Sequence, residues 1–150
     1  MGKLIVVSAC LVGVNCKYDG GNNDNEKVKK FLEDKEYVII CPEQLGGITT
    51  PRKPSEINKI GGEAVLCGDS KVISCENVDV TENFVNGAKE SLKIAKLFNC
   101  QKALLKEGSP SCGCNLISDG NFKGNKIPGK GVTAALFIKN NIEVFSEKEL

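Results

Sequence analysis

The chain alternates short apolar runs with longer polar stretches, and the spacing of the apolar positions differs from run to run. Leu4, Ile5, Val6 and Val7 form a continuous aliphatic and β-branched run, the pattern of a parallel strand covered on both faces. It ends in Ser8-Ala9-Cys10-Leu11-Val12-Gly13. After a Gly- and Asn-rich loop over residues 19–25, Val28, Phe31 and Leu32 recur at i, i+3 and i+4, which predicts a short helix capped by Asp24 or a neighbouring Asn. Tyr37-Val38-Ile39-Ile40 predicts a second buried strand, stopped at Cys41-Pro42-Glu43 because proline removes a ladder donor.

Residues 44–60, with Gly46, Gly47, Pro51 and Pro54, read as a loop. A β-hairpin is predicted next, with arms 63–67 and 71–75 joined by Gly68-Asp69-Ser70. Phe84, Ala88, Leu92, Ala95 and Phe98 mark the longest helix, over 81–99, capped by Asp79 or Thr81. Residues 102–106 predict a third buried strand that runs into Gly108-Ser109-Pro110-Ser111-Cys112-Gly113-Cys114. A turn-rich stretch over 119–131, a helix over 132–138 and a closing strand over 142–145 complete the pattern. Strands alternating with helices imply a three-layer α/β fold with a mostly parallel sheet, Rossmann-like or flavodoxin-like, carrying a β-hairpin insertion. The 150 residues are expected to form a single domain.

Composition narrows the chemistry. There are eight cysteines and no histidine. Without an imidazole there is no Ser-His or Cys-His nucleophile pair and no His-ligated zinc, so acid–base work falls to carboxylates, lysines, tyrosines, cysteines or water. Twenty basic and nineteen acidic residues give a net charge of +1, and there are two tyrosines and no tryptophan. That is not the footprint of a protein that binds a nucleic-acid polymer. Lys3 and the apolar run before Cys10 resemble a lipoprotein leader, but the run falls short of the roughly 7–15 apolar residues a leader needs. No apolar segment approaches the roughly 20 residues of a membrane span. A cytoplasmic protein is expected, with its cysteines as thiols or metal ligands and not as a disulfide framework.

Three of these cysteines share one address. Cys10 follows the first strand, Cys41 the second, and Cys112 lies in the loop after the third. Carboxyl ends of parallel strands are where open α/β sheets build sites, and adjacent strands lie about 5 Å apart, so the three thiols are expected to converge. Convergent thiolates beside glycine, proline and serine favour a soft metal site, foremost an iron-sulfur cluster, with zinc as the rival. Cys16 and Cys114 are neighbours or further ligands, whereas Cys67, Cys75 and Cys100 are expected to be packing residues. Glu43, two residues beyond Cys41, is a candidate general acid or base against the alternative of a solvated loop carboxylate. Ser109 and Ser111 are candidate ligand-binding hydroxyls, against the alternative that they cap the local backbone. Arg52, Lys17 and Lys106 could attract a polar ligand, and Gly129-Lys130-Gly131 could present amides to an anion.

Taken in order, Ser8-Ala9-Cys10-Leu11-Val12-Gly13, Tyr18-Asp19-Gly20, Cys41-Pro42-Glu43, Pro51-Arg52, Ser109-Pro110-Ser111-Cys112-Gly113 and Gly129-Lys130-Gly131-Val132-Thr133-Ala134 resemble a family, formerly of unknown function, that includes the iron-sulfur-dependent thiouracil desulfidases. The resemblance covers essentially the whole chain. It implies a 4Fe-4S cluster with three cysteine ligands, carried onto Cys10, Cys41 and Cys112, and one iron free of protein. It also implies non-redox removal of sulfur from a thiolated heterocycle such as 2-thiouracil, or its nucleoside, with release of sulfide. In that scheme the substrate sulfur meets the free iron, Glu43 activates water, and Ser109 or Ser111 assists. An oxygen-sensitive enzyme of sulfur metabolism is thus expected, acting on a small-molecule thiolated base or nucleoside, and a homodimer is compatible with this reading. The alternatives from other classes are a non-catalytic iron-sulfur or metal-binding module and a cysteine-persulfide sulfur transferase.

Overall fold

The computed structural model describes residues 4–150, so Lys3 of the leader-like pattern lies outside the described residues. The elements run β1 (Ile5–Ser8), a 3-10 turn (Ala9–Val12), α1 (Glu26–Leu32), β2 (Tyr37–Ile40), α2 (Pro42–Leu45), β3 (Ser55–Ile57), α3 (Gly62–Cys67), β4 (Val72–Ser74), α4 (Thr81–Leu97), β5 (Lys102–Leu105), β6 (Leu116–Ser118), β7 (Lys126–Pro128), α5 (Val132–Lys139) and β8 (Glu143–Ser146).

Four strands make the central sheet in the order β2-β1-β5-β8, with all neighbours parallel. Val7 stands opposite Ile39 on one side and Leu104 on the other, and Ser8 opposite Ile40. Counted within this sheet alone the order is 2-1-3-4, that of a flavodoxin-like sheet without its last strand. The pleat sorts the side chains. Ile5, Val7 and Leu104 pack with Val28, Leu32 and Phe31 of α1 on one face. Val6, Ala103 and Leu105 pack with Ala95 of α4 and with Ala134 and Phe137 of α5 on the other. This is the expected three-layer arrangement, and Asn25 caps α1 by accepting from the backbone N–H groups of Lys27 and Val28.

Two small antiparallel pairs, β3 with β4 and β6 with β7, lie outside the sheet. Their Ile57, Val72 and Ile117 join Val65, Phe84, Ala88 and Val132 in a second apolar cluster. The predicted hairpin needs correction here. Residues 63–67 are helical, and β4 pairs with β3, from the stretch read as loop. Gly68, at φ +85°, is the left-handed C-cap of α3 and not part of a β-turn. Cys67 at the end of α3 and Cys75 just beyond β4 are consequently exposed, contrary to the expectation that they pack; Cys100 is buried as expected. Pro42 ends the strand but opens α2, since its missing N–H costs nothing in a first helical turn. Among the described residues no helix is long and apolar enough to cross a membrane.

Candidate functional site

The chain reverses direction across the sheet between β1 and β5, and that switch point, with the neighbouring end of β2, opens a cavity of about 460 Å³. Cys10, Cys16, Cys41, Cys112, Glu43, Ser109, Arg52, Lys17 and Lys106 all line it. Cys10 is carried on the 3-10 turn directly after β1, and Cys41 is the residue before α2. That short helix sits tightly on α4: a Cβ placed on Gly87 would lie 2.0 Å from the Pro42 carbonyl oxygen, so only glycine permits the approach. Cys112 is buried.

The Cys112 loop is fastened from two sides. From one, the backbone N–H groups of Val132 and Thr133 at the start of α5 donate to the carbonyls of Pro110 and Ser111, and that of Gly131 donates to Gly113. A Cβ on Gly131 would lie 2.5 Å from the Ser111 carbonyl carbon, so the glycine here provides backbone contact. The amides of Gly129 and Gly131 are spent on Asn115 and Gly113, and the Lys130 ammonium on the Cys114 carbonyl, so this segment braces the loop and does not present a free anion cradle. From the other side, Glu107 accepts at one carboxylate oxygen from the backbone N–H groups of Cys114, Asn115 and Leu116 at 2.8–3.0 Å. Glu147 in turn accepts from the Glu107 N–H at 2.8 Å and pairs with Lys106 at 3.3 Å.

Glu43 faces the same cavity. Its Oε1 accepts the Ser111 hydroxyl at 2.9 Å, and its Oε2 lies 3.8 Å from the Arg52 guanidinium. The Arg52 guanidinium also donates to the Cys16 carbonyl at 2.8 Å, tying the loop after β1 to the segment after β2. Ser109 and Ser111 are close, at 3.0 Å between hydroxyl oxygens, but differ in position: Ser109 lines the cavity, while Ser111 is fully buried behind it.

The thiols differ electrostatically. Burial pushes the Cys112 thiol well up, and the nearby Glu43 charge adds to this, against a smaller opposing hydrogen bond from Ser8. Burial likewise raises Cys10, partly offset by the Asn23 amide. Cys41 is drawn down to about 7, chiefly by the Cys16 thiol donating to it, and Cys16 is raised correspondingly. Cys114 points away from the cavity into the core, where burial lifts it to about 12. Buried sulfur donors that resist ionisation are suited to a bound soft cation, which displaces the thiol protons. Among the described residues no three His, Cys, Asp or Glu side chains are grouped to hold a single metal ion. Bonds of about 2.3 Å to one ion would require sulfurs within about 4 Å of each other. Cys10, Cys41 and Cys112 line one cavity, and the soft sulfur donors they supply are of the kind that can hold an iron-sulfur cluster.

The sequence matches the 2-thiouracil desulfurase family over residues 5–149. The chain belongs to that family. It is 46% identical, over 98% of its own length and 97% of its relative's, to the uncharacterized protein YbbK of Bacillus subtilis (strain 168). Its fold is similar to that of the 4Fe-4S-dependent thiouracil desulfidase TudS, with a TM-score of 0.85 and 37% identity, over 99% of this chain and 93% of that one. Family membership agrees with the resemblance carried by the ordered motifs. Their other residues occupy the same place: Tyr18 and Arg52 line the cavity, and Gly131 abuts the Cys112 loop. Sequence reasoning passed over Ser8, Asn23 and Glu107, all of which touch the thiols or the loop that carries one. Only Ser8 had a signal, as the last residue of a strand leading to a cysteine.

Proposed function

We propose that this protein is a 4Fe-4S-dependent thiouracil desulfidase, hydrolysing a C–S bond of a thiolated heterocycle such as 2-thiouracil without net redox change and releasing sulfide. The observation that carries this reading is the convergence of Cys10, Cys41 and Cys112 from three adjacent strand ends on one cavity that also exposes Glu43. Membership of the 2-thiouracil desulfurase family and the likeness to TudS support it. Cys10, Cys41 and Cys112 would hold the cluster as its three protein ligands. When bound, a cluster with one iron free of protein supplies a Lewis acid for the thiocarbonyl sulfur.

The remaining work belongs to the chain. Ser111 has one hydroxyl proton, and at 2.9 Å from Glu43 it is committed to that carboxylate. Arg52 stands at the other carboxylate oxygen. Glu43 is thereby oriented toward the cavity, where it takes the proton of the water that attacks the thiocarbonyl carbon. Ser109 accepts the backbone N–H groups of Ser111 and Cys112, both at 3.1 Å, which leaves its own proton for Ser111 or for the ring substituents of a substrate. Two of the three candidate catalytic residues thus face the cavity, and Ser111 acts through Glu43.

Anaerobic reconstitution followed by incubation with 2-thiouracil tests the reading. Uracil and sulfide should appear in equal amounts. Fully loaded protein that yields neither, across 2- and 4-thiolated bases and nucleosides, would remove the activity and leave a non-catalytic cluster protein.

A further inference from the structure

Two polar side chains that sequence reasoning passed over make direct contact with ligand sulfurs. The Ser8 hydroxyl lies 3.3 Å from Cys112 Sγ, and the Asn23 side-chain nitrogen lies 3.4 Å from Cys10 Sγ. For Ser8 the direction of the hydrogen bond is fixed by its other neighbour. The backbone N–H of Lys106 donates to the Ser8 oxygen at 3.0 Å, so that oxygen is an acceptor there and its single proton is left for the sulfur. No second hydroxyl competes: Ser111 is 3.6 Å from the same sulfur but gives its proton to Glu43 at 2.9 Å. Asn23 is placed by its own backbone, whose N–H donates to the Cys10 carbonyl at 2.9 Å. Facing a thiolate, its amide must present nitrogen, because the carbonyl oxygen would be repelled. Cys41 differs, since the donors at its sulfur are the Cys16 thiol and the backbone N–H of Gln44, with no side-chain N–H or hydroxyl among them.

We infer that Ser8 and Asn23 are positioning and tuning residues that each donate one hydrogen bond to a cluster-ligating thiolate, leaving Cys41 as the ligand with no side-chain N–H or hydroxyl donor. The inference rests on the cluster reading above and deepens it. Donors to ligand sulfurs withdraw electron density, which raises the reduction potential of a cluster and makes its iron a stronger Lewis acid. The arrangement is thus asymmetric: Cys10 and Cys112 each receive a side-chain N–H or hydroxyl donor, and Cys41 does not. In a non-redox desulfidase the gain is a more electrophilic free iron and a reduced state that stays accessible to measurement without being part of turnover.

The experiment is a mediated anaerobic redox titration of the reconstituted full chain, comparing wild type with Ser8→Ala, Asn23→Leu and the double variant, with iron and sulfide quantified per chain. Each single substitution should leave iron and sulfide at the wild-type level and move the midpoint to a more negative potential. The double variant should move further than either, because the two bonds fall on different ligands. Asn23→Asp, which sets an anionic acceptor against Cys10, should shift it further than Asn23→Leu. Loaded variants that all keep the wild-type potential would overturn the inference. Wild type that binds no cluster would instead overturn the cluster reading itself. Ser8 also anchors Lys106, so if Ser8→Ala fails to load, the half-buried, loop-borne Asn23 decides the matter through its own pair of variants.

Discussion

Glu43 is fastened at both carboxylate oxygens, by the Ser111 hydroxyl and by the Arg52 guanidinium, and this separates its chemical role from a structural one. Glu43→Gln keeps the size and an acceptor for Ser111 but removes the basicity. We expect cluster content close to wild type and turnover slower by about 10²-fold or more, the contribution of a positioned general base, checked by iron and sulfide analysis beside single-turnover release of uracil. Equal loss of both would make Glu43 a scaffold residue. Cys16 poses the other residue-scale question, because it borders the cavity next to Cys41. Cys16→Ala should retain the cluster and its spectrum if three cysteines are the ligands; loss of the cluster would favour the four-ligand, non-catalytic module. The strand-end position of Cys10, Cys41 and Cys112 was legible because a buried run followed by a turn residue marks a strand's carboxyl end. Ser8, Asn23 and Arg52 were less legible as a set, since their partners lie 104, 13 and 36 residues away in sequence and nothing in local pattern records that distance.

Elements with continuous apolar runs or a full helical stripe were readable: β1, β2, β5, β8, α4 and α5 lie within a residue or two of their predicted bounds. Of the short strands only β4 was read, within the arm predicted over 71–75; β3, β6 and β7 were not, because each has three residues and too few buried positions to establish a period of two. The same ambiguity turned α3 into an apparent strand: Ala64, Val65 and Leu66 are adjacent apolar residues in an element of six. A different kind of element, the loop from β5 to β6, has a testable support in Glu107. Burial raises its carboxyl, but the N–H groups of Asn115, Leu116 and Cys114 and the Asn115 side-chain amide outweigh burial and leave it lowered. A carboxyl lowered in the folded state stabilises the fold above its unfolded value, near 4.5, and that contribution fades as the pH falls through the lower, folded value. Glu107→Gln should therefore cost about 1–2 kcal/mol at neutral pH, or roughly 2–8 °C in Tm. The gap between variant and wild type should narrow steadily as the apoprotein is melted at successively lower pH. A gap independent of pH would mean that shape, and not charge, holds the loop.

At the scale of the molecule, the sheet and the site draw on different sources of stability. β1 is buried along its whole length, between apolar clusters on both faces of the sheet. The candidate ligands, by contrast, sit on three loops at one end of that sheet, joined by contacts such as Arg52 to Cys16 and Ser111 to Glu43. The core should then fold without the cluster, while the cluster ties the loops together. Binding to the folded state alone at a hundred times the dissociation constant adds about 2.7 kcal/mol, which for a chain of this size is roughly 5–11 °C in Tm. We expect anaerobic chelation of iron to leave the far-ultraviolet dichroism of the sheet and helices in place and to lower Tm by about that amount. Amide exchange should quicken in residues 9–24, 41–54 and 107–115 and stay slow in β1 and β5. Collapse of protection across β1 and β5 together with the loops would show that the cluster is needed to form the core, and would move this protein from an enzyme that holds a cofactor to a fold that is built around one.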